Sequence, residues 1–259
     1  MKFSQSKIGS IIGGVIISIF LVADWTACLA QEGQANASEV YLQVYEATQS
    51  VLSHDPVIQN GVYYTYPYYN AIGHPFLGQK EFETASVIFR GKSYEALSIN
   101  YELFSQQIIL SREYDGVLQM NLLAPEFVSG FYLKGKQFIK ADFQEGAPEF
   151  FQVISETPTI SCYYSWYKER REVHDSGNRS IYSFSDQKSK RYLYLGEQLT
   201  RFKSNKSFLK IFPDASKALI KDYLQENQVL VLEASDQEMR SLINYCDRVL
   251  DQALNQGGE

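Results

Sequence analysis

The sequence predicts a mainly β (α+β) fold: an antiparallel β-meander closed as a barrel or a sandwich, with C-terminal amphipathic helices packed on it. Three observations carry this. Between residues 60 and 203, Gly-containing turn signals recur between short segments of alternating polarity. The chain holds 19 Tyr and 16 Phe, residues that suit a half-buried pleated surface. After residue 203 the apolar spacing changes from two to the three-and-four step of helices. No helical pattern of ten or more residues interrupts the strand-like stretch, which argues against a parallel βαβ sheet.

Residues 1–30 read as a signal peptide. Lys2 and Lys7 precede an uncharged apolar run, Ile8 to Ala23, and small residues lead to Leu29-Ala30-Gln31. The run is about sixteen residues, short for a membrane span, and Asp24 at its end is costly in an uncleaved anchor. Thr26-Ala27-Cys28 offers a second reading, lipidation of Cys28, although Trp25 stands where an aliphatic residue is usual. Export to the periplasm or outer cell envelope (secretion) is the expectation, with membrane attachment only if Cys28 is lipidated. Removing residues 1–30 from 259 leaves 229 and takes the formal charge from -6 to -7, because two lysines and one aspartate go. Mild acidity with scattered charges argues against nucleic-acid binding. The run Lys168-Glu169-Arg170-Arg171-Glu172 is mixed and reads as a solvated strand end.

Residues 31–59 read as a polar leader followed by a short helix over Glu39 to Leu52. The β domain then spans 60–203. Its turns fall at Asn60-Gly61, Arg90-Gly91-Lys92, Asp115-Gly116, Lys134-Gly135-Lys136, Ser176-Gly177-Asn178 and Gly196-Glu197, of which the Asn-Gly and Asp-Gly pairs suit hairpins needing positive φ. Between them, Ala85, Val87 and Phe89 share a face. Leu97, Ile99 and Tyr101 oppose Ala96, Ser98 and Asn100. Met120 and Leu122, then Ile139, Ala141 and Phe143, repeat the period of two, and Cys162, Tyr164 and Trp166 alternate with Tyr163, Ser165 and Tyr167.

The helical segment covers 204–259. Ser207 to Phe212 predicts one or two turns stopped by Pro213. Asp214 is placed to cap a helix whose stripe is Leu219, Ile220, Tyr223 and Leu224. Ser235-Asp236-Gln237-Glu238 is a capping-box signature. It opens a helix with Met239, Leu242, Ile243, Cys246, Val249, Leu250 and Ala253 on one face.

The chemistry is sparse. No Gly-x-Ser-x-Gly elbow, phosphate loop or dinucleotide fingerprint occurs, so the sequence points to no catalytic residue and no cofactor. His54, His74 and His174 have no metal-ligand spacing partner, and no metal site is expected. His174-Asp175-Ser176 contains triad residue types, but neighbours on a turn point apart. The candidate ligand contacts are Tyr64, Tyr66, Tyr69 and His74, with Trp166 on another strand. Aromatic rings beside a His can stack a sugar or another flat ligand. The plainer reading is alternate tyrosines half in the core, and a Gly73-His74-Pro75 turn capped by its histidine. Cys162 and Cys246 admit two readings in an oxidising compartment, a disulfide or two buried thiols. Asn36, Asn178 and Asn205 head glycosylation-type triplets.

The motifs Gly61-Val62-Tyr63-Tyr64, Gly73-His74-Pro75-Phe76, Phe89-Arg90-Gly91-Lys92-Ser93-Tyr94 and Leu97-Ser98-Ile99-Asn100-Tyr101-Glu102 occur in that order. They are followed by Lys206 to Phe212, Lys217 to Asn227 and a closing helix with Tyr245. In this order they resemble an exported family of the Bacteroidetes with no assigned activity, over most of residues 60–250. Glu102 stands where the family more often has Asp. The resemblance implies an envelope location in a Gram-negative cell and no particular reaction. The leading expectation is therefore a non-enzymatic binding or structural module of the envelope, its partner another envelope protein or a small-molecule ligand. A carbohydrate-active or other hydrolase using the Tyr63–His74 region, and a carrier of an apolar ligand inside a β-barrel, are the alternatives.

Overall fold

The computed structural model describes residues 55–59, 61–141, 149–174, 176–177 and 179–256, all of which belong to the unit Ser53–Glu259. The expected signal peptide, Cys28, the helix over Glu39 to Leu52, Phe143 and the first two glycosylation-type asparagines lie outside the described residues.

Hairpins build the sheet. After a four-residue helix α1 (Pro56–Gln59) and a short β1 (Val62–Tyr63), β2 (Glu83–Phe89) turns into β3 (Lys92–Glu102), and β4 (Gln107–Tyr114) into β5 (Val117–Leu123). Next, β6 (Val128–Leu133) turns into β7 (Lys136–Ala141), and β8 (Glu149–Glu156) leads to β9 (Ile160–Tyr167). The hairpin of β10 (Arg170–His174) and β11 (Ser180–Phe184) precedes β12 (Lys188–Leu195) and β13 (Gln198–Phe202). The β2–β3, β4–β5, β6–β7 and β12–β13 connections place both central residues at positive φ, from 50° to 75°. Such turns twist with the strands they join. Four of the turn pairs read from the sequence, Arg90-Gly91, Asp115-Gly116, Lys134-Gly135 and Gly196-Glu197, are these connections.

The strands form one eleven-stranded sheet, in the order β1-β5-β4-β3-β2-β6-β7-β8-β9-β12-β13. All of its ladders are antiparallel. β10 and β11 pair separately. The sheet is not closed: β1 and β13 are its two edges, with no ladder between them. Of the two closures left open by the sequence, barrel or sandwich, a closed barrel is not formed among the described residues. Among the described residues the other sheet is the two-stranded β10–β11 pair. Over β8, β9, β12 and β13 the second layer is helical: α2 (Asn205–Leu209), α3 (Asp214–Glu226) and α4 (Asp236–Gln256).

Two runs of residues follow the register across one face of the sheet. Leu123, Ile108 and Tyr101 lie side by side, as do Val87, Phe131, Phe138, Gln152 and Tyr164. Tyr101, Phe131, Phe138 and Phe150 form a ring cluster there, with centroids 4.6–5.9 Å apart. Further along, Cys162, Tyr164, Leu193 and Phe202 meet Met239, Leu242, Ile243, Cys246, Val249 and Leu250 of α4. These six helix residues are buried, and each of the five other than Cys246 contributes about 1.5–3 kcal/mol by leaving water. The capping box at the start of α4 is present: the Glu238 N–H donates to Ser235 Oγ and the Ser235 N–H to Glu238 Oε2. Cys162 and Cys246 sit in this cluster as free thiols, and burial raises the pKa of both.

Two helix details differ from expectation. The N-cap of α3 is Pro213, with Asp214 already inside the first turn and paired with Lys217 at 2.6 Å. Proline at that place, its φ fixed near −59°, leads into the helix that follows. Of the predicted stripe, Ile220 and Leu224 are buried and Tyr223 partly so, whereas Leu219 is exposed.

Gly130 on β6 explains itself by close approach: an added Cβ would lie 2.7 Å from the Phe138 carbonyl oxygen of the neighbouring strand. Gly130→Ala is expected to cost about 1–3 kcal/mol, because ladder backbone cannot yield as a flexible side chain can. A denaturant midpoint unchanged from wild type would contradict this.

Candidate functional site: an aromatic cleft

The segment from Tyr64 to Phe82 covers the opposite face of β3, β4 and β5. The Tyr64 N–H first donates to the Met120 carbonyl, extending the β1 pairing by one bond. The chain then crosses the sheet face instead of continuing as a strand, because residues 75–81 are tied down elsewhere. Leu77 N–H donates to Tyr101 O and Leu103 N–H to Pro75 O. Buried Asn100 donates its amide to the carbonyls of Gln79, Lys80 and Glu81, at 3.0–3.3 Å. Tyr64, Tyr66 and Phe76 are buried against Ile109.

Beneath this segment lies Glu102, 2% exposed. The Tyr64 hydroxyl donates to its Oε2 at 2.9 Å. Burial pushes the Glu102 carboxyl above the ordinary range, while hydrogen bonds from Tyr64 and Ser105 pull it part of the way back. Burial, and then the Glu102 charge, raise the phenols of Tyr64, Tyr66 and Tyr68.

His74 is used by the turn that contains it. The Phe76 N–H donates to His74 Nδ1 at 3.2 Å, and Lys168 Nζ donates to the His74 carbonyl at 2.8 Å. Gly73 supplies the φ of +74° the turn needs. Partial burial lowers the His74 pKa, and the Lys168 charge lowers it further, which favours the neutral ring that can accept from Phe76.

Just before the turn the chain meets the β10–β11 hairpin. Ile72 N–H donates to Tyr182 O and Phe184 N–H to Ile72 O, a parallel bridge. Between the two segments opens a cleft of about 450 Å³ lined by Pro67, Tyr68, Tyr69, Ser180, Ile181 and Tyr182, with Asn70 and Ala71 at its side. Its wall is a network of rings. Tyr68 meets Phe184 at 4.9 Å, Tyr182 at 6.4 Å and Phe104 at 6.5 Å, all edge-to-face. The Arg170 guanidinium lies 4.3 Å from the Tyr182 centroid and 4.7 Å from that of Phe104. Tyr69, its ring edge-on to Tyr66, is 75% exposed, and Ile72, Phe104 and Tyr182 are exposed as well. The surface thus offers ring faces, a cation and the hydroxyl or amide groups of Tyr69, Asn70 and Ser180. It can stack flat groups and hydrogen-bond along their edges.

The structure separates the residues chosen from the sequence. Tyr69 lines the cleft. Tyr64 and Tyr66 are buried under it, and His74 shapes the adjoining turn. Trp166 faces the other side of the sheet: its indole N–H donates to Gln152 Oε1 at 2.7 Å, and Gln152 in turn donates to Asp236 of α4. His174 is exposed at the end of β10, and Asp175 lies outside the described residues. Asn205 uses its side chain within the fold, donating to Val229 O and accepting from Val231 N–H. Sequence reasoning missed Tyr68 and Tyr182 as cleft residues and Arg170 as the cation stacked on Tyr182; only the hairpin signal at Ser176-Gly177 hinted that Arg170 and Tyr182 are neighbours. Among the described residues, no group of three or more His, Cys, Asp or Glu could hold a metal ion, and no helix is long and apolar enough to cross a membrane. No family model, curated protein or solved structure matches this chain.

Proposed function

We propose that the chain is an exported, non-enzymatic binding module of the cell envelope, and that it contacts a protein partner through the cleft between residues 67–72 and the β10–β11 hairpin. The observation that carries this is a concave surface lined by Tyr68 and by the exposed Tyr69 and Tyr182, with the Arg170 guanidinium stacked on Tyr182 and on the exposed Phe104 next to it. Tyr and Arg dominate the energetic centres of protein interfaces, and the ring network holds these side chains in place before a partner arrives, which limits the entropy lost on binding. Residues 1–30 support export, Cys28 supports a tether as the variant of that reading, and the family resemblance supports a Gram-negative envelope.

The alternatives find less support. His74 Nδ1 is engaged by Phe76 N–H and does not line the cleft, so a hydrolase centred on it lacks a free base at that atom. A carrier needs a barrel interior, and the sheet ends in two separate edges.

The test is affinity capture from the native envelope with the tagged full chain and with Tyr69→Ala/Tyr182→Ala. Both side chains are exposed but pack edge-on against neighbouring rings, so the double variant is expected to stay folded at a cost of about 1–2 kcal/mol. A partner held by wild type and at least about tenfold more weakly by the double variant is the expected result. Equal capture by both, or retention of a glycan with no protein, would overturn the reading.

A further inference from the structure

A second concave surface lies far along the chain from the cleft. It is a groove of about 720 Å³ between α2, the C-terminal half of α3 and residues 228–230. Its apolar lining is wholly aliphatic: Leu209, Leu224, Val229 and Leu230. Its charged lining is Lys206 and Lys221, both exposed, and no acidic residue lines it. In a chain of formal charge -6, this is a local reversal of sign. Neither ammonium has an acidic partner among the described residues.

The walls are built rather than loose. Asn205 clamps the 228–231 segment with two side-chain hydrogen bonds, 2.7 Å to Val229 O and 2.9 Å from Val231 N–H. The end of α3 turns back through Gln228, at φ +52°, with Val229 N–H donating to Leu224 O. That turn satisfies a terminal carbonyl of α3, and the two lysine charges exceed the half charge of a helix C-terminus. Leu230 is 54% exposed at the rim, an aliphatic surface left facing water.

We propose that this groove binds a single-chain anionic amphiphile of the fatty-acid class. The carboxylate lies between Lys206 and Lys221, and the hydrocarbon chain covers Leu209, Leu224, Val229 and Leu230. An aliphatic floor suits a hydrocarbon tail, whose burial is rewarded per methylene. Two flexible cations at the rim suit a carboxylate head, with an affinity that falls as salt rises. The site is independent of the aromatic cleft and of the reading built on it.

The probe is dodecanoate below its micelle concentration, titrated into the full chain by calorimetry and followed by methyl NMR shifts of the groove residues. Expected are saturable binding of one dodecanoate, shifts confined to Leu209, Leu224, Val229 and Leu230, and decanoate weaker by about tenfold. Lys206→Gln/Lys221→Gln is expected to weaken dodecanoate by about tenfold and to leave dodecanol unchanged. Tyr69→Ala/Tyr182→Ala is expected to bind dodecanoate as wild type does. Failure to saturate, shifts outside the groove, equal affinity for dodecanol and dodecanoate, or a double lysine variant that binds as wild type would each overturn the proposal.

Discussion

Phe138→Ala is expected to lower the free energy of unfolding by about 3–5 kcal/mol, a large part of the roughly 5–15 kcal/mol that a folded domain has. Phe138 is 1% exposed. It stacks on Phe131 at 4.6 Å with ring planes only 10° apart, and meets Tyr101 at 5.7 Å. β7 lies between β6 and β8 in the interior of the sheet order, so both ladders hold its backbone in place and the cavity cannot close by strand movement. The cost is therefore the lost transfer energy plus the unfilled space. Urea unfolding followed by far-ultraviolet circular dichroism measures it. A loss below about 1 kcal/mol would mean that the neighbouring rings collapse into the gap.

The second large effect concerns Glu102 and depends on pH. Burial raises its folded-state pKa, so the folded chain holds this proton more tightly than the unfolded chain does. Its contribution is fully present below the ordinary carboxylate value and is lost as pH rises through the raised one. Glu102→Gln removes that titration, so its stability relative to wild type should improve between about pH 4 and about pH 8. Tyr64→Phe removes the 2.9 Å donor to the carboxylate. It is expected to cost about 1.5–3 kcal/mol where Glu102 is ionised, and less where it is protonated. Urea midpoints of the three proteins at both pH values provide the test. A wild-type-to-Gln difference that does not change with pH would refute the buried-carboxylate account.

Short-range chemistry made much of this fold legible in the sequence. Arg90-Gly91 and Asp115-Gly116 announce their hairpins because few residues tolerate two consecutive positive φ values. Ser235 and Glu238 announce α4 because a capping box is a local exchange of hydrogen bonds. Alternation misled where both faces are covered. Asn100 and Glu102 belong to the polar phase of β3, yet both are buried because the Tyr64–Phe82 segment lies over them. At Ala96 (φ +53°), two residues of β3 face one of β2, so the phase read through Leu97, Ile99 and Tyr101 breaks before Tyr94. In the tyrosine run Tyr64 and Tyr66 are buried while Tyr63 and Tyr69 are exposed, but the strand ends at Tyr63, so this alternation is not that of one strand. What no local pattern shows is the cleft itself. Tyr68 and Tyr182 meet across more than a hundred residues, through a two-bond bridge at Ile72 that leaves no periodic trace. The open edge at β13 was equally illegible, since closure depends on which distant strands pair.

The placement of Trp166 has a practical consequence. The chain contains two tryptophans, Trp25 and Trp166, so a protein freed of its first thirty residues carries one indole. That indole is hydrogen-bonded to Gln152, sits 5.7 Å from the Lys136 ammonium and packs against the cluster beneath α4. Its emission is therefore a single-site optical gauge of the helix–sheet junction, sensitive to detachment of α4 and blind to events at the tyrosine-lined cleft. Tyrosine fluorescence, or a label on the β10–β11 hairpin, is the signal that would register a partner arriving there.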